Sequence, residues 1–286
     1  AEEGGPRPDA GNMVIFHPGP VSDNPGQPDR LIAQAGMRPI SISTPAADLC
    51  GVRSFWETLS ADGVIFMNSS LDRESAYQLK LSGIPFVAAN RMPREWGVNC
   101  VEFDHESALR LFLKALIRRG RRRIALLNPR YPLHYFREII FSAYFEVMNA
   151  YAIFDPELFV YPDESQPYEA ALAAGVERLL ALPRPPDAIY SSVPEPELRR
   201  ILAEHRVTLP KAVECGFSRI FEEPAPDGGE PGLVYRYDRL RESLWRLLQL
   251  VIADPVRTPE TRLIPVPVIG PDGEPLTAAT NSQPRN

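Results

Sequence analysis

The sequence predicts an α/β protein in which two Rossmann-like lobes, each built on a parallel sheet, enclose a ligand cleft. Two series of short apolar runs alternate with helical patterns, and this alternation is typical of parallel strands buried on both faces. In the first series the runs end in polar or small residues, which is where parallel sheets gather their ligand groups. The clearest runs are Gly63–Met67, Pro85–Ala89, Val101–Phe103 and Ile124–Leu127.

Composition places the chain among ordinary globular proteins. Its 286 residues, 44% hydrophobic and 24% charged, can form one large or two ordinary α/β domains with a sizeable core. The net charge of −6 gives no electrostatic footprint for nucleic acid. Three cysteines, far apart in the sequence, argue against a disulfide framework and favour a reducing compartment. No apolar run reaches the roughly 18 residues of a membrane span and no signal peptide is visible, so we expect a cytoplasmic protein.

The first series of elements follows a start rich in proline and glycine. Residues 1–12 are typical of a linker or of a segment foreign to the native chain. Short apolar runs predict the strands, and apolar residues at helical spacing predict the helices. The expected elements are strands at Met13–Phe16 and Pro39–Ile42 and helices at Asp29–Ala35, Leu49–Leu59, Glu74–Leu81 and Glu106–Ile117.

The second series begins at Ile124 and repeats this alternation. The expected helices are Arg137–Tyr151, Tyr168–Leu182, Glu195–His205 and Leu240–Ala253. The expected strands are Leu158–Tyr161, Ala188–Tyr190, Ala212–Phe217 and Leu233–Tyr237, and Arg262–Ile269 is expected to end the fold. Residues from Gly270 to Asn286 have the composition of a mostly disordered tail.

The run Arg118–Arg123 is the most basic point of the chain. It follows the predicted helix Glu106–Ile117, whose dipole favours cations at its C-terminus, so we expect a solvated helix end. Contact with phosphate is the alternative, but the run lacks the interleaved aromatic residues that a nucleic-acid surface uses. Reversing Arg121 and Arg122 to Glu is then expected to change stability by no more than about 0.5 kcal/mol.

Four segments in order carry a resemblance to a known family. They are ADGVIF from Ala61, GIPFVAANR from Gly83, VEFDHESA from Val101 and IRRGRRRIALLNP from Ile117. Together they resemble the effector-binding core of LacI/GalR transcriptional regulators, and the resemblance continues at lower quality to about Pro267. It implies a periplasmic-binding-protein-like fold of type I.

The resemblance also implies where the chain crosses between lobes. The crossings are expected near Asp104, which would be a hinge residue, near Tyr237 and near Thr258. The first lobe would then contain residues 13–104 and 238–257, and the second lobe 105–237 and 258–270, with a tail at 271–286. The first helix, Asp29–Ala35, is shorter than in the family, which affects the usual first binding loop.

Signatures of catalysis are missing from the sequence. There is no P-loop, no Gly-x-Ser-x-Gly, no Gly-x-Gly-x-x-Gly after the first strand and no Cys/His metal spacing. The four histidines, His17, His105, His134 and His205, are isolated from one another. A lone histidine at a strand end is more often a hydrogen-bonded structural group than a base. We therefore expect no enzyme, no metal and no cofactor.

A binding site is the better interpretation of the polar strand ends. Arg137 opens a helix nine residues beyond Asn128, and the family has an arginine at this spacing that forks onto ligand hydroxyls or a carboxylate. A surface arginine at a helix start is the alternative. Aromatic rings beside polar groups suit the apolar and hydroxyl faces of a sugar. The candidate ligand-binding residues are His17, Asn68, Ser69, Asn90, Arg137, Tyr190, Ser192, Ser218, Tyr235 and Tyr237.

The chain departs from the family where carboxylates are usual. An Asn-Asp pair is expected after Ala188–Tyr190, but Val193 and Pro194 stand there, and Ser218 stands where an Asp is expected. Losing these acceptors weakens the case for an ordinary neutral hexose. It leaves Arg137 less neutralised, which favours an anionic or carboxylated ligand. A site that binds nothing specific is a further possibility.

The resemblance implies the effector-sensing and dimerisation core of a bacterial transcriptional regulator. A sugar, sugar acid or related small molecule would close the lobes and alter operator binding by a DNA-binding headpiece, which we expect to precede Ala1. The expected partners are the small molecule and a second copy of the chain, in a homodimer without membrane contact. A periplasmic solute-binding protein of a sugar transporter is the alternative, since it shares the fold.

Overall fold

The computed structural model describes residues 11–17, 27–43, 60–67, 71–127, 134–160, 165–193, 195–221 and 231–276. Its strands in chain order are β1 (Asn12–His17), β2 (Arg38–Ser43), β3 (Ala61–Phe66), β4 (Phe86–Ala89), β5 (Asn99–Phe103), β6 (Ile124–Leu127), β7 (Phe159–Val160), β8 (Ala188–Ser191), β9 (Glu214–Phe221), β10 (Gly232–Arg236), β11 (Thr261–Ile264), β12 (Val268–Ile269) and β13 (Pro275–Leu276). Its helices are α1 (Gln27–Gln34), α2 (Arg73–Ser82), α3 (His105–Arg118), α4 (His134–Ala150), α5 (Tyr168–Leu180), α6 (Glu195–Glu204) and α7 (Tyr237–Ala253).

The chain divides into two compact units, and it passes between them three times. Unit 1 runs to Phe103 and takes up the chain again at Tyr237–Ile264. Unit 2 consists of Asp104–Arg236 and the residues from Pro265 onward. Each unit contains its own sheet, so each has a core that forms around strands of that unit.

The sheet of unit 1 is parallel throughout, in the order β11-β5-β4-β3-β1-β2. Apolar side chains of its strands form the core, in which the rings of Phe16 and Phe66 stack with their centroids 5.0 Å apart. Local sequence sets the limits of α2: the Asp72 carboxylate accepts the Ser75 N–H at 2.8 Å, and Gly83 ends the helix with φ at 67°.

The sheet of unit 2 has the order β13-β12-β10-β9-β8-β6-β7. The strands from β7 to β10 are parallel, whereas β12 pairs antiparallel with both β10 and β13. The α3 helix begins at the Asp104 cap, whose carboxylate accepts the Ser107 N–H at 3.1 Å. It then buries the apolar stripe that its sequence predicts, formed by Leu109, Phe112, Leu113, Leu116 and Ile117.

Two mostly parallel α/β sheets agree with the predicted architecture, and Ile124–Leu127 forms a strand with the predicted limits. The predicted helix Leu49–Leu59 lies outside the described residues. The predicted disordered tail is wrong in one part: Pro275–Leu276 pairs with β12, because the preceding turn brings the chain back antiparallel.

The last passage between the units also differs from the expected position. The resemblance places it near Thr258, but Thr261–Ile264 pairs with β5 in the sheet of unit 1, and the chain enters unit 2 at Pro265. Tyr237, assigned to the second lobe, begins α7 in unit 1. Asp104, assigned to the first lobe, caps α3 in unit 2.

The arginine run is ion-paired rather than simply solvated, which corrects the expectation for this segment. Arg119 Nε and Arg121 Nε lie 3.0 Å and 2.7 Å from the two carboxylate oxygens of Glu214, whose side chain is 12% exposed. The carboxylate of Asp187 accepts the N–H groups of Arg122 and Arg123. The run therefore connects the end of α3 to the start of β9 and to the segment that precedes β8.

We expect Arg121→Glu to destabilise unit 2 measurably, since it would place two carboxylates against each other at Glu214. A partly exposed ion pair contributes about 0.2–1 kcal/mol, and a charge reversal adds repulsion to that loss. Arg121→Gln serves as the matched control, because it removes the attraction alone and should cost less. Urea denaturation gives both values, and the difference between the variants should shrink in high salt. Equal stability of Arg121→Glu and the parent chain would return the run to a solvated helix end.

Candidate ligand-binding site

The carboxyl ends of the parallel strands in unit 1 lie along one edge of the sheet, which is where such sheets bind ligands. His17 is the last residue of β1 and is partly exposed, and Asn90 follows β4 directly. Asn90 has a φ of 70°, a left-handed conformation that asparagine tolerates better than most residues. Its N–H donates to the carbonyl of Val101 at 2.8 Å, so β5 fixes the position of this turn. The candidates Asn68 and Ser69 lie outside the described residues.

A buried carboxylate supports the same turn, and the sequence prediction did not include it. Glu102 lies in β5 with its side chain 2% exposed, and its Oε2 is 3.0 Å from Arg91 Nε. A buried carboxylate is costly unless it is paired, so this ion pair holds Arg91, and the turn before it, against β5. The sequence signal is a glutamate between the apolar residues Val101 and Phe103.

In unit 2, hydrogen bonds join four side chains from one helix and three strands. The Tyr190 hydroxyl lies 3.0 Å from Ser218 Oγ and also hydrogen-bonds Tyr235. The Tyr235 hydroxyl lies 3.2 Å from His105 Nδ1, and the two rings are 5.1 Å apart. We call His105, Tyr190, Ser218 and Tyr235 the hydroxyl network. It lies near the carboxyl ends of β8 and β10, since Tyr190 and Tyr235 are the next-to-last residues of those strands.

The hydroxyl network combines three hydroxyl groups with one imidazole. Burial raises the pKa of Tyr190 to about 12, although hydrogen bonds from Ser218 and Tyr235 act in the opposite direction. Tyr190 is fully buried and packs its ring against Phe112 at 5.7 Å, whereas Ser218 and Tyr235 keep 5% and 6% of their surface exposed. The network contains no carboxylate; its three hydroxyls and the His105 imidazole can donate and accept hydrogen bonds.

The structure places the remaining sequence candidates, Ser192, Tyr237 and Arg137, in three different surroundings. Ser192 is also buried, directly after β8, and its N–H donates to the carbonyl of Leu127 at the end of β6. Tyr237 is not in this unit: it lies in unit 1, with its ring 5.4 Å from that of Phe103. Arg137 is in the first turn of α4, as expected, but its side chain lies outside the described residues. Its role as a ligand contact stays a prediction.

The two cysteines in the described part of the chain are not activated as thiolates. Burial raises the pKa of both Cys100 and Cys215 to about 11, so both remain neutral thiols at physiological pH. Within the described ranges, no group of three or more His, Cys, Asp and Glu side chains is placed to hold a metal ion. No helix among these residues is long and apolar enough to cross a membrane.

Solved structures with a similar fold include LacI-family transcriptional regulators. A LacI family transcriptional regulator from Enterococcus faecium with bound ribose aligns with a TM-score of 0.67 at 16% identity, covering 89% of this chain and 95% of its own. The transcription regulator CcpA of Lactococcus lactis aligns with a TM-score of 0.67 at 17% identity, over 90% and 96%. A complex of the transcriptional regulator CelR with cellobiose has a TM-score of 0.66 at 18% identity, over 91% and 84%.

No protein-family model and no curated protein matches the sequence. At identities below 20%, the structural likeness establishes the fold. The chain has the mostly parallel, two-sheet α/β fold of the LacI-family regulators, over about nine-tenths of its length. The predicted fold class and the resemblance to this family are confirmed at that level.

Proposed function

We propose that this chain is the effector-binding domain of a bacterial transcriptional regulator of the LacI type, and that its effector is a sugar or a sugar acid. The hydroxyl network carries the proposal, because it places hydrogen-bond donors and acceptors beside aromatic rings at the carboxyl edge of the unit 2 sheet. Fold-level analogy adds support, since two of the similar structures hold ribose or cellobiose.

The chemistry of this edge favours an effector that brings its own acceptors. Pro194 and Ser218 occupy positions where the family resemblance implies acids, and the hydroxyl network has no carboxylate to clamp sugar hydroxyls. A ligand carboxylate or phosphate would instead supply acceptors to a guanidinium. By the same resemblance we propose that the chain dimerises, and that a DNA-binding headpiece preceding Ala1 contacts the operator.

The proposal is tested by a thermal-shift screen with D-ribose, cellobiose, D-glucuronate and glucose 6-phosphate. A ligand at 100 times its Kd stabilises the protein by about 2.7 kcal/mol, which is a readily measured shift. We expect at least one of the four compounds to raise the melting temperature in a saturable manner. No saturable shift with any of them, up to millimolar concentration, would count against sugar sensing.

Arg137→Ala is expected to weaken binding of the compound found in the screen by about ten- to a hundredfold. Hydrogen bonds to a charged group contribute roughly 1.5–3 kcal/mol. The substitution removes the guanidinium and with it these hydrogen bonds to the ligand. Arg137→Lys should restore little, because an ammonium cannot present two coplanar donors. Titration calorimetry measures both affinities.

The matched control is Arg246→Ala, which makes the same change at a side chain 69% exposed on α7 in unit 1. It should leave affinity unchanged, and circular dichroism shows whether each variant is folded. Unchanged affinity in Arg137→Ala would place Arg137 on the surface and remove it from the site.

A further inference from the structure

Two passages of the chain between the units are flanked by ring contacts on both sides. In unit 1, Phe103 is the last residue before the first passage and Tyr237 the first residue after the second, and their rings lie 5.4 Å apart. In unit 2, His105 is the second residue after the first passage and Tyr235 the second-to-last residue before the second passage. Their rings lie 5.1 Å apart. Between these two pairs, each passage contains a single further residue, Asp104 in one and Arg236 in the other.

The pair in unit 2 is also tied to the polar edge of its sheet. The Tyr235 hydroxyl hydrogen-bonds both His105 Nδ1, at 3.2 Å, and the buried hydroxyl of Tyr190. Tyr190 in turn contacts Ser218 Oγ at 3.0 Å. A displacement at Tyr190 or Ser218 would therefore reach Tyr235 through hydrogen bonds, and Tyr235 lies next to Arg236 in the second passage.

We propose that Tyr235 is a positioning residue that couples the ligand-binding edge of unit 2 to the two passages through Asp104 and Arg236. Its hydroxyl holds His105, and with it the start of α3, at a set distance from the end of β10. Asp104 and Arg236 are the single residues between the ring pairs, and Arg236 is itself paired with Phe221 of β9. The inference deepens the proposed function, since it names how an occupied edge would alter the connection between the units.

The experiment is hydrogen–deuterium exchange of Tyr235→Phe without any ligand. The variant keeps the ring and removes the hydroxyl that bonds His105 and Tyr190. A lost hydrogen bond of about 0.5–1.5 kcal/mol should accelerate amide exchange by roughly two- to tenfold. We expect this acceleration in peptides covering 101–109 and 233–241, with exchange elsewhere in unit 2 unchanged.

Tyr144→Phe is the matched control within the same unit. Tyr144 is fully buried, and its hydroxyl on α4 donates to the carbonyl of Ile124 on β6 at 2.7 Å, so neither partner belongs to the elements that begin or end at the two passages. Its loss should raise exchange around α4 and β6 and leave the two passages as they were. If Tyr235→Phe does not fold, His105→Asn tests the same contact from the α3 side.

The same exchange pattern in Tyr235→Phe and Tyr144→Phe would overturn the coupling. So would amide exchange at both passages that is no faster in a folded Tyr235→Phe variant than in the parent chain. Neither outcome depends on a ligand, so failure of this inference is distinct from failure of the thermal-shift screen. Success here with no ligand found would leave the coupling intact and the effector class open to revision.

Discussion

Gly232→Ala is expected to abolish stable folding of unit 2. A Cβ on Gly232 would lie 1.9 Å from the Phe217 carbonyl oxygen and 2.6 Å from its nitrogen, and both are backbone atoms of the paired strand β9. Gly232 also has a φ of 140°, which residues with a side chain rarely adopt. Since no rotamer change can relieve a backbone clash, we expect a loss of about 4 kcal/mol or more.

Gly120→Ala separates the two causes. Gly120 also has a positive φ, of 87°, but nothing lies within 4 Å of its added Cβ, so it should lose only the roughly 1–2 kcal/mol of backbone strain. Far-UV circular dichroism in urea measures both variants. Tryptophan fluorescence reports unit 1 separately, because Trp56, Trp96 and Trp245 all belong to that unit's sequence. Equal losses in the two variants would show that the β9–β10 pairing is looser than described.

Gly216→Ala is the second large effect, and here a partner substitution should rescue it. The added Cβ would lie 2.1 Å from Cζ of Phe112, a fully buried ring on α3 that also packs against Tyr190. Overpacking of this kind costs typically 1–3 kcal/mol, and occasionally more, because the ring must leave its rotamer or the helix must move. The missing side chain at Gly216 is thus what makes room for the Phe112 ring against β9.

Phe112→Leu in the Gly216→Ala background tests this explanation. Because the obstruction is a side chain, trimming it should recover part of the lost stability, and the two substitutions should couple by about 0.5–3 kcal/mol in a double-mutant cycle. Phe112→Leu alone opens a cavity and should destabilise. Additive losses would mean that α3 does not press on Gly216.

Local sequence determined most of the secondary structure and the fold class. Apolar periodicity predicts α3 and β6. The caps at Asp72 and Asp104 use the N–H group three residues later, so they are local features that a sequence pattern can predict. Alternation of strands and helices then restricts the topology to parallel sheets, since such strands need helical crossovers. The resemblance in four short segments adds two lobes, and the comparisons with solved structures agree on the fold.

The candidate site was predictable as a set of strand ends, but not as a set of contacts. Tyr190, Ser218 and Tyr235 were candidates from the sequence, whereas His105 entered only as an isolated histidine, and Glu102 did not enter at all. Their partners are far away along the chain: His105 and Tyr235 are 130 positions apart, and Tyr190 and Ser218 are 28 apart. Hydrogen bonds over such separations leave no periodic signal.

Tertiary structure alone decided three further features of this protein. It paired Arg121 with Glu214, 93 positions away, so that a run expected to be solvated became a connection within unit 2. It placed Thr261–Ile264 beside β5 rather than in the second sheet. It also turned Gly216 and Gly232 into points of close approach. Sequence periodicity reports which face of an element is buried, whereas the neighbour of that face is chosen by packing across the whole fold.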